Sequence, residues 1–259
     1  MKAILSSIMT IALMLLFTFS GFAKENAVSW YCVRKKDNTQ PTLSKELQFT
    51  EKYDLYWCDR KHQGYGDEEK VIYLTFDAGY ENGNIERILN VLKKEEVKAT
   101  FFILDNMILK NESLVKRMID EGHLVANHTM KHKDMTKMSS INEFNEELTA
   151  LEKLYENSYG VKMEKYYRPP EGKISEENLK WAKELGYKTV MWSFAYADWD
   201  NGKQPSRESA LAKILENIHN GEVMLLHPTS STNADIMEEL IKTLKSQGFR
   251  FATVEELCK

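Results

Sequence analysis

Five segments of the chain carry residues suited to chemistry. The first is VIYLTFDAGYENG, residues 71–83, an apolar and β-branched run that stops on Asp77 followed by Ala-Gly. A carboxylate at the end of a buried strand costs free energy unless it is paired, hydrogen-bonded or wet, so Asp77 is either a site residue or a turn residue capping the next helix. The second is NHTMKH, with His128 and His132 four apart. That spacing predicts one face of a helical turn, from which two imidazoles reach one divalent ion; the plain alternative is a pair of helix-surface histidines. The third, YYRPPEGKIS, sets Arg168 in a backbone stiffened by two prolines. A guanidinium there orients a carboxylate through a bidentate contact, or merely pairs at the surface. The fourth, VMLLHPTS, delivers His227 at a strand end broken by Pro228. An imidazole so placed suits general acid or base work near neutral pH, unless it is a core histidine bonded to a carbonyl. The fifth, WSFAYADWD, offers Asp198 to raise the basicity of such a histidine, with Trp192 and Trp199 as flat faces for a sugar ring or as plain core. Asp77 and Asp198 also admit a glycosidase pair, which would leave the histidines idle.

Such residues need a scaffold that gathers them. From residue 71 the runs VIYLTF, ATFFIL, HLVANH, KYYRPP, KTVMWSF, EVMLLH and RFATV alternate with helix-length amphipathic stretches beginning near residues 84, 111, 141, 174, 206 and 234. Leu148, Leu151, Leu154 and Tyr155 show the three-and-four spacing of a helix. Gly122, Gly160, Gly186, Gly221 and Gly248 close several stretches where a left-handed C-cap is wanted. Seven strands alternating with helices imply a parallel sheet, closed as a barrel or doubly wound. Chemistry in such a fold sits at the C-terminal strand ends, which here are Asp77, Asp105, His128, Arg168, Asp198 and His227. His62, His123 and His219 lack that context and read as solvent-facing or capping.

With 35 Lys and Arg against 39 Asp and Glu, a net charge of -4 and no basic block, the chain offers nothing to nucleic acid. Its 259 residues suit one large domain or two small ones. The opening MKAILSSIMTIALMLLFTFSGFAKEN reads as a signal peptide over residues 1–23, cleaved after Ala23. An uncleaved anchor is the rival reading, although the apolar run barely reaches the ~20 residues of a membrane span. Both place the remainder outside the cytoplasmic membrane, and an anchor would add membrane association. Residues 24–66 read as an N-terminal arm packing on a domain over residues 67–259. Cys32, Cys58 and Cys258 are too few for a disulfide framework, and a Cys32–Cys58 bridge or three reduced thiols both stay open.

TFDAG, HTMKH, RPPEG, the Asp198-Trp199 pair and LLH stand in the order and spacing of five motifs of the polysaccharide deacetylase family, also called NodB-homology or carbohydrate esterase family 4. The chain resembles that family over about residues 70–259. The resemblance implies an α/β fold, a distorted (β/α)7 barrel, and metal-assisted hydrolysis of an acetamide on a polysaccharide. It implies Asp77 as the general base, His128 and His132 as ligands of a divalent ion such as zinc, and Arg168 orienting Asp77. It further implies that the Glu171 backbone N–H holds the oxyanion, that His227 protonates the leaving amine with Asp198 behind it, and that Tyr80, Trp192 and Trp199 add substrate contacts.

One position departs from the family pattern. The usual second aspartate of the first motif, a metal ligand, is Ala78, and a methyl group cannot coordinate. Two neutral imidazoles should bind an ion less tightly while leaving it more charge to acidify water; Asp105 and Glu81 are the substitutes the sequence offers. With that departure, TFDAGYENGN and the arm SWYCVRKK resemble the subgroup of spore-cortex muramic-δ-lactam de-N-acetylases of endospore-forming bacteria. The subgroup implies peptidoglycan glycan strands as substrate, at N-acetylmuramic acid residues stripped of peptide by a separate muramoyl-L-alanine amidase. The freed amine then closes on the lactyl carboxylate of the same ring, a step that proximity favours. It also implies export to the cell wall or the forespore intermembrane space. The alternatives are a catalytically silent glycan-binding homologue and a deacetylase of another cell-wall or chitin-like glycan.

Overall fold

The computed structural model describes residues 27–35, 37–63 and 69–259. The expected signal segment, residues 1–23, lies outside them. Four two-residue strands form in the arm: β1 (Val28–Ser29), β2 (Cys32–Val33), β3 (Thr42–Leu43) and β4 (Leu55–Tyr56). The seven apolar runs then give β5 (Lys70–Ala78), β6 (Thr100–Ile103), β7 (Leu124–Asn127), β8 (Tyr166–Tyr167), β10 (Lys188–Val190), β11 (Glu222–Leu226) and β12 (Phe249–Ala252). A further two-residue strand, β9 (Lys173–Ile174), follows β8. The amphipathic stretches fold as α1 (Asn84–Lys94), α3 (Glu112–Asp120), α4 (Ile141–Tyr159), α5 (Glu176–Glu184), α6 (Arg207–Leu215) and α7 (Ser231–Ser246). Two short helices escape the periodicity, α2 (Asp105–Lys110) and α8 (Val254–Leu257).

One sheet runs β11-β5-β6-β7-β8-β10-β4, with β12 beside the first half of β5, and every pairing in it is parallel. It curls until its edges meet: Phe194, just past β10, bridges Met224 of β11, and Cys58, just past β4, bridges Glu222. The result is the expected distorted α/β barrel. β5 shows how its two layers are sorted. Ile72, Leu74, Phe76 and Ala78 join the core shared with α1 and α7, whereas Val71 and Tyr73 join the inner cluster with Phe102, Val190 and Val223. This is the period-two alternation of a strand buried on both faces.

The arm does more than pack on the barrel, because β4 is a strand of the sheet. It caps the β10 edge, where Thr189 N–H donates to Asp54 O and Met191 N–H to Tyr56 O, both at 2.8 Å. An open sheet edge would otherwise present those groups unpaired. Two residues inside a charged stretch carry no periodic signal, so this strand was not visible in the sequence. Nor are His123 and His219 solvent-facing, since both are buried. His219 lies between Ser193 Oγ (2.9 Å) and Glu222 (3.1 Å) at the barrel seam. All three cysteines are free thiols, so the Cys32–Cys58 bridge is not formed. No helix among the described residues is long and apolar enough to cross a membrane.

Candidate active site

Strand parity carries Asp77 to the mouth of the barrel. It shares the inward face of β5 with Val71 and Tyr73, and it is the last inward residue before the strand ends. Arg168, one residue past β8, is fully buried and fixed on every side. Its Nη1 donates to Asp77 Oδ1 (2.8 Å), Nε to Val190 O (3.0 Å) and Nη2 to Met191 O (3.2 Å), while the guanidinium lies 4.1 Å from the Phe102 ring centre. The contact with Asp77 is therefore single, not bidentate, because two backbone carbonyls take the other donors. Asp77 Oδ2 is left to face the cleft. Burial alone would raise the Asp77 pKa, but the Arg168 guanidinium, with smaller contributions from the two histidines when they are protonated, outweighs it and holds the carboxyl below its usual range.

His128 follows β7, and its Nδ1 lies 2.9 Å from Arg168 O. A carbonyl only accepts, so Nδ1 carries the proton and Nε2 keeps its lone pair, 3.6 Å from Asp77 Oδ2. Burial pushes the His128 pKa down to about 4, outweighing the attraction of Asp77. The ring is thus neutral near pH 7, as a metal ligand must be. His132 comes beside it, with ring centroids 5.1 Å apart. No helical turn does this: residues 128–134 are irregular, and Thr129 (φ 74°) and His132 (φ 54°) are left-handed. Side chains hold the strained turn: Asn127 Oδ1 accepts from Thr129 N–H (2.8 Å), Thr129 Oγ1 from His132 N–H (3.0 Å), and Glu147 Oε2 from Lys131 N–H (3.2 Å).

Neither substitute ligand reaches this pair. Asp105 is paired with Lys131, and the Glu81 carboxylate caps α1, accepting from Gly83 N–H and from Ile85 N–H (3.1 Å). Ala78 is packed in the helix-facing core. Among the described residues no group of three or more His, Cys, Asp and Glu side chains is arranged to hold a metal ion. The donor chemistry still fits an ion at the two imidazoles, with His128 presenting a free Nε2.

The opposite wall is built from His227 and Asp198. His227 Nδ1 lies 2.7 Å from Asp198 Oδ1, and Asp198 Oδ2 accepts from His227 N–H (2.8 Å) and from Asn233 Nδ2 (2.6 Å). Asp198 is fully buried with all its donors internal, so it cannot reach a glycosidic bond and the glycosidase pairing with Asp77 is ruled out. Burial opposes charge on His227, but the hydrogen bond and charge of Asp198, with Asp77 beyond, raise its pKa above the ordinary histidine value.

Asp77, His128, His132, Glu171 and His227 line one cavity of about 700 Å³, together with Tyr80, Trp192, Trp199, Leu225 and Tyr196. Arg168 and Asp198 stand behind its walls. Trp199 (61 % exposed) and Tyr80 (46 % exposed) flank the opening, and Asn201 Nδ2 donates to Tyr80 Oη (2.6 Å). Glu171 is left-handed (φ 57°) with its carboxylate turned to Lys173 Nζ (2.6 Å). The arm secures this turn and Trp192: Trp30 N–H donates to Gly172 O and Trp30 Nε1 to Trp192 O, both at 2.8 Å. The sequence reading missed Asn233, whose place on α7 gave no motif signal, and Trp30.

The barrel and the residues at its mouth define a carbohydrate esterase of family 4, and the comparisons agree. Residues 64–190 match the polysaccharide deacetylase family. The chain belongs to that family, which includes peptidoglycan deacetylases, hydrolases that act on amide bonds. The peptidoglycan-N-acetylmuramic acid deacetylase PdaA of Bacillus subtilis is 36% identical over 231 residues, 89% of this chain and 85% of PdaA. The solved structure of PdaA, described as a family 4 carbohydrate esterase, superimposes with a TM-score of 0.82 at 36% identity, covering 89% of this chain and 96% of that one. A peptidoglycan-N-acetylglucosamine deacetylase of Bacillus cereus is 35% identical over 198 residues, 74% of this chain and 90% of its own length.

Proposed function

We propose that the protein removes the acetyl group from N-acetylmuramic acid residues of peptidoglycan that lack their peptide. The observation that carries the reading is one cavity lined by a carboxylate that Arg168 holds below its usual range against burial, Asp77, and facing it a histidine whose proton affinity Asp198 raises against burial, His227. Amide hydrolysis needs both groups. Asp77 Oδ2 takes a proton from the attacking water as its oxygen bonds to the acetamide carbon. Arg168 keeps Asp77 Oδ1 occupied and so fixes which oxygen receives that proton. The Glu171 backbone N–H holds the oxyanion that forms. His227 then gives its proton to the departing nitrogen as the C–N bond breaks, and acetate and a free amine result. A divalent ion, zinc in this reading, held by His128 Nε2 and His132 would supply Lewis-acid polarisation of the carbonyl.

The muramic reading is supported by the extent of similarity. The relative named for N-acetylmuramic acid matches 89% of the chain, against 74% for the one named for N-acetylglucosamine. Lactam formation in spore cortex, coupling to a muramoyl-L-alanine amidase, and export across the cytoplasmic membrane belong to the same proposal. A second reading, a silent glycan-binding homologue, is favoured by the two-imidazole donor set alone. Mass spectrometry of three zinc-supplemented substrates separates these: peptide-free glycan strands, peptide-bearing strands and a chitin oligomer. The proposal expects acetyl loss on the peptide-free strands alone. Acetyl loss chiefly from chitin would overturn the substrate, and saturable binding without any acetyl loss would establish the silent reading.

A further inference from the structure

The acid side of the cleft contains a polar residue to which the reaction assigns nothing. Asn233 lies in the first turn of α7, fully buried, behind the wall and out of contact with the cavity. Its Nδ2 donates to Asp198 Oδ2 (2.6 Å) and to His227 O (3.1 Å), and its Oδ1 accepts from the Tyr196 hydroxyl. Its backbone N–H donates to Ser230 Oγ (3.0 Å), the cap of the same helix. The amide has one possible orientation here. Asp198 Oδ2 and His227 O are both acceptors, so the NH2 must face them, and the carbonyl must face the one donor, Tyr196.

We propose that Asn233 is a positioning residue for the general acid: it locks the Asp198 carboxylate so that Oδ1 is reserved for His227 Nδ1 and the exchangeable proton resides on Nε2, facing the cleft. Without the amide, Oδ2 keeps one donor, the His227 backbone N–H. The carboxylate is then held by His227 alone, with no group outside that residue to fix its orientation. Tyr196, which lines the cavity, orients the amide and so links the cleft wall to the acid. The other charged groups facing His227 are Asp77 and Arg168 across the cleft, and neither touches Asn233. The inference rests on the deacetylase reading for its kinetic part only.

The test compares Asn233→Ala, Asn233→Asp and Tyr196→Phe in the full zinc-supplemented protein. Steady-state acetate release from peptide-free glycan strands is measured together with the imidazole 15N shifts of His227. Asn233→Ala should lower kcat by about 10- to 100-fold with KM within about twofold, because the lost hydrogen bond is to a charged group outside the binding surface. Asn233→Asp keeps the shape, and an acid in a first helical turn favours the helix. Buried against two acceptors, the new carboxyl costs stability in either role, so Tm is read separately. A purely structural asparagine predicts a lower Tm with the kcat of the folded protein unchanged; the positioning role predicts a kcat below that of Asn233→Ala at neutral pH, since two carboxylates would face each other, with partial recovery on acidification as the new carboxyl regains a donor. Tyr196→Phe should fall between wild type and Asn233→Ala. In the 15N spectra the neutral ring of the wild type carries its proton on Nδ1, and loss of the amide admits the Nε2 tautomer. An unchanged tautomer, or Asn233→Asp as active as wild type, would overturn the inference. Absence of acetate from the wild type would instead refute the deacetylase reading, and the 15N spectra would still decide the role of Asn233.

Discussion

His128 and His227 stand on opposite walls of one cleft, both largely withdrawn from water, yet the protein drives their proton affinities apart. His128 is pushed to about pH 4 because burial dominates, and its Nδ1 has only a neutral carbonyl to bond. Asp77 is at 3.6 Å, too far for a direct hydrogen bond, and its charge is shared with Arg168. His227 bonds Asp198 directly at 2.7 Å, and that contact overrides the same kind of desolvation. Burial alone therefore does not set a histidine's role; the partner of its Nδ1 does. In this cleft the carbonyl goes with a neutral ring whose Nε2 is free, and the buried carboxylate with a ring of raised proton affinity.

The largest effect should come from the base side. Asp77→Asn removes the proton acceptor and leaves Arg168 buried without its counter-charge, so acetate release should fall by about 10²- to 10⁴-fold, read by an acetate assay under saturating substrate. Next comes the acid side, where His227 must be protonated to act. Its raised pKa puts the alkaline limb of the pH–rate profile above histidine's ordinary ~6.5. Asp198→Asn removes the group that raises it, so the limb should move to lower pH and the rate at pH 8 should fall by about 10²-fold. A limb that stays in place would disconnect Asp198 from the acid. His132→Ala removes a direct ligand and should weaken metal binding by more than the ~10- to 100-fold of losing an outer-shell partner, measured by equilibrium dialysis with zinc, with activity partly restored by excess metal. Trp199→Ala should be mildest: the side chain is mostly exposed, so Tm should hold and KM should rise by no more than about 10-fold.

The sequence made the barrel legible where residues are buried on a period. All seven long apolar runs became strands, and Gly122, Gly160, Gly186, Gly221 and Gly248 all adopt positive φ at element ends. Asp77 and His227 could be found because a polar residue that terminates an apolar strand is conspicuous. What the sequence hid depends on tertiary partners. The spacing of His128 and His132 suits a helix, but the chain instead forms a strained loop pinned by Asn127, Thr129 and Glu147, contacts that no local pattern encodes. Asp105 sits at a strand end like a site residue, yet Lys131 consumes it. Asn233 is separated from Asp198 by 35 positions and meets it only in the folded barrel.

The cooperation of the two walls can be measured directly by comparing acetate release from peptide-free glycan strands for wild type, Asp77→Asn, His227→Ala and the double variant. Two groups serving one hydrolysis predict acetate equal to the sum of new amine and lactam from the wild type, near-complete loss in each single variant, and little further loss in the double. Substantial release by either single variant, or losses that simply multiply, would contradict a shared reaction at this cleft.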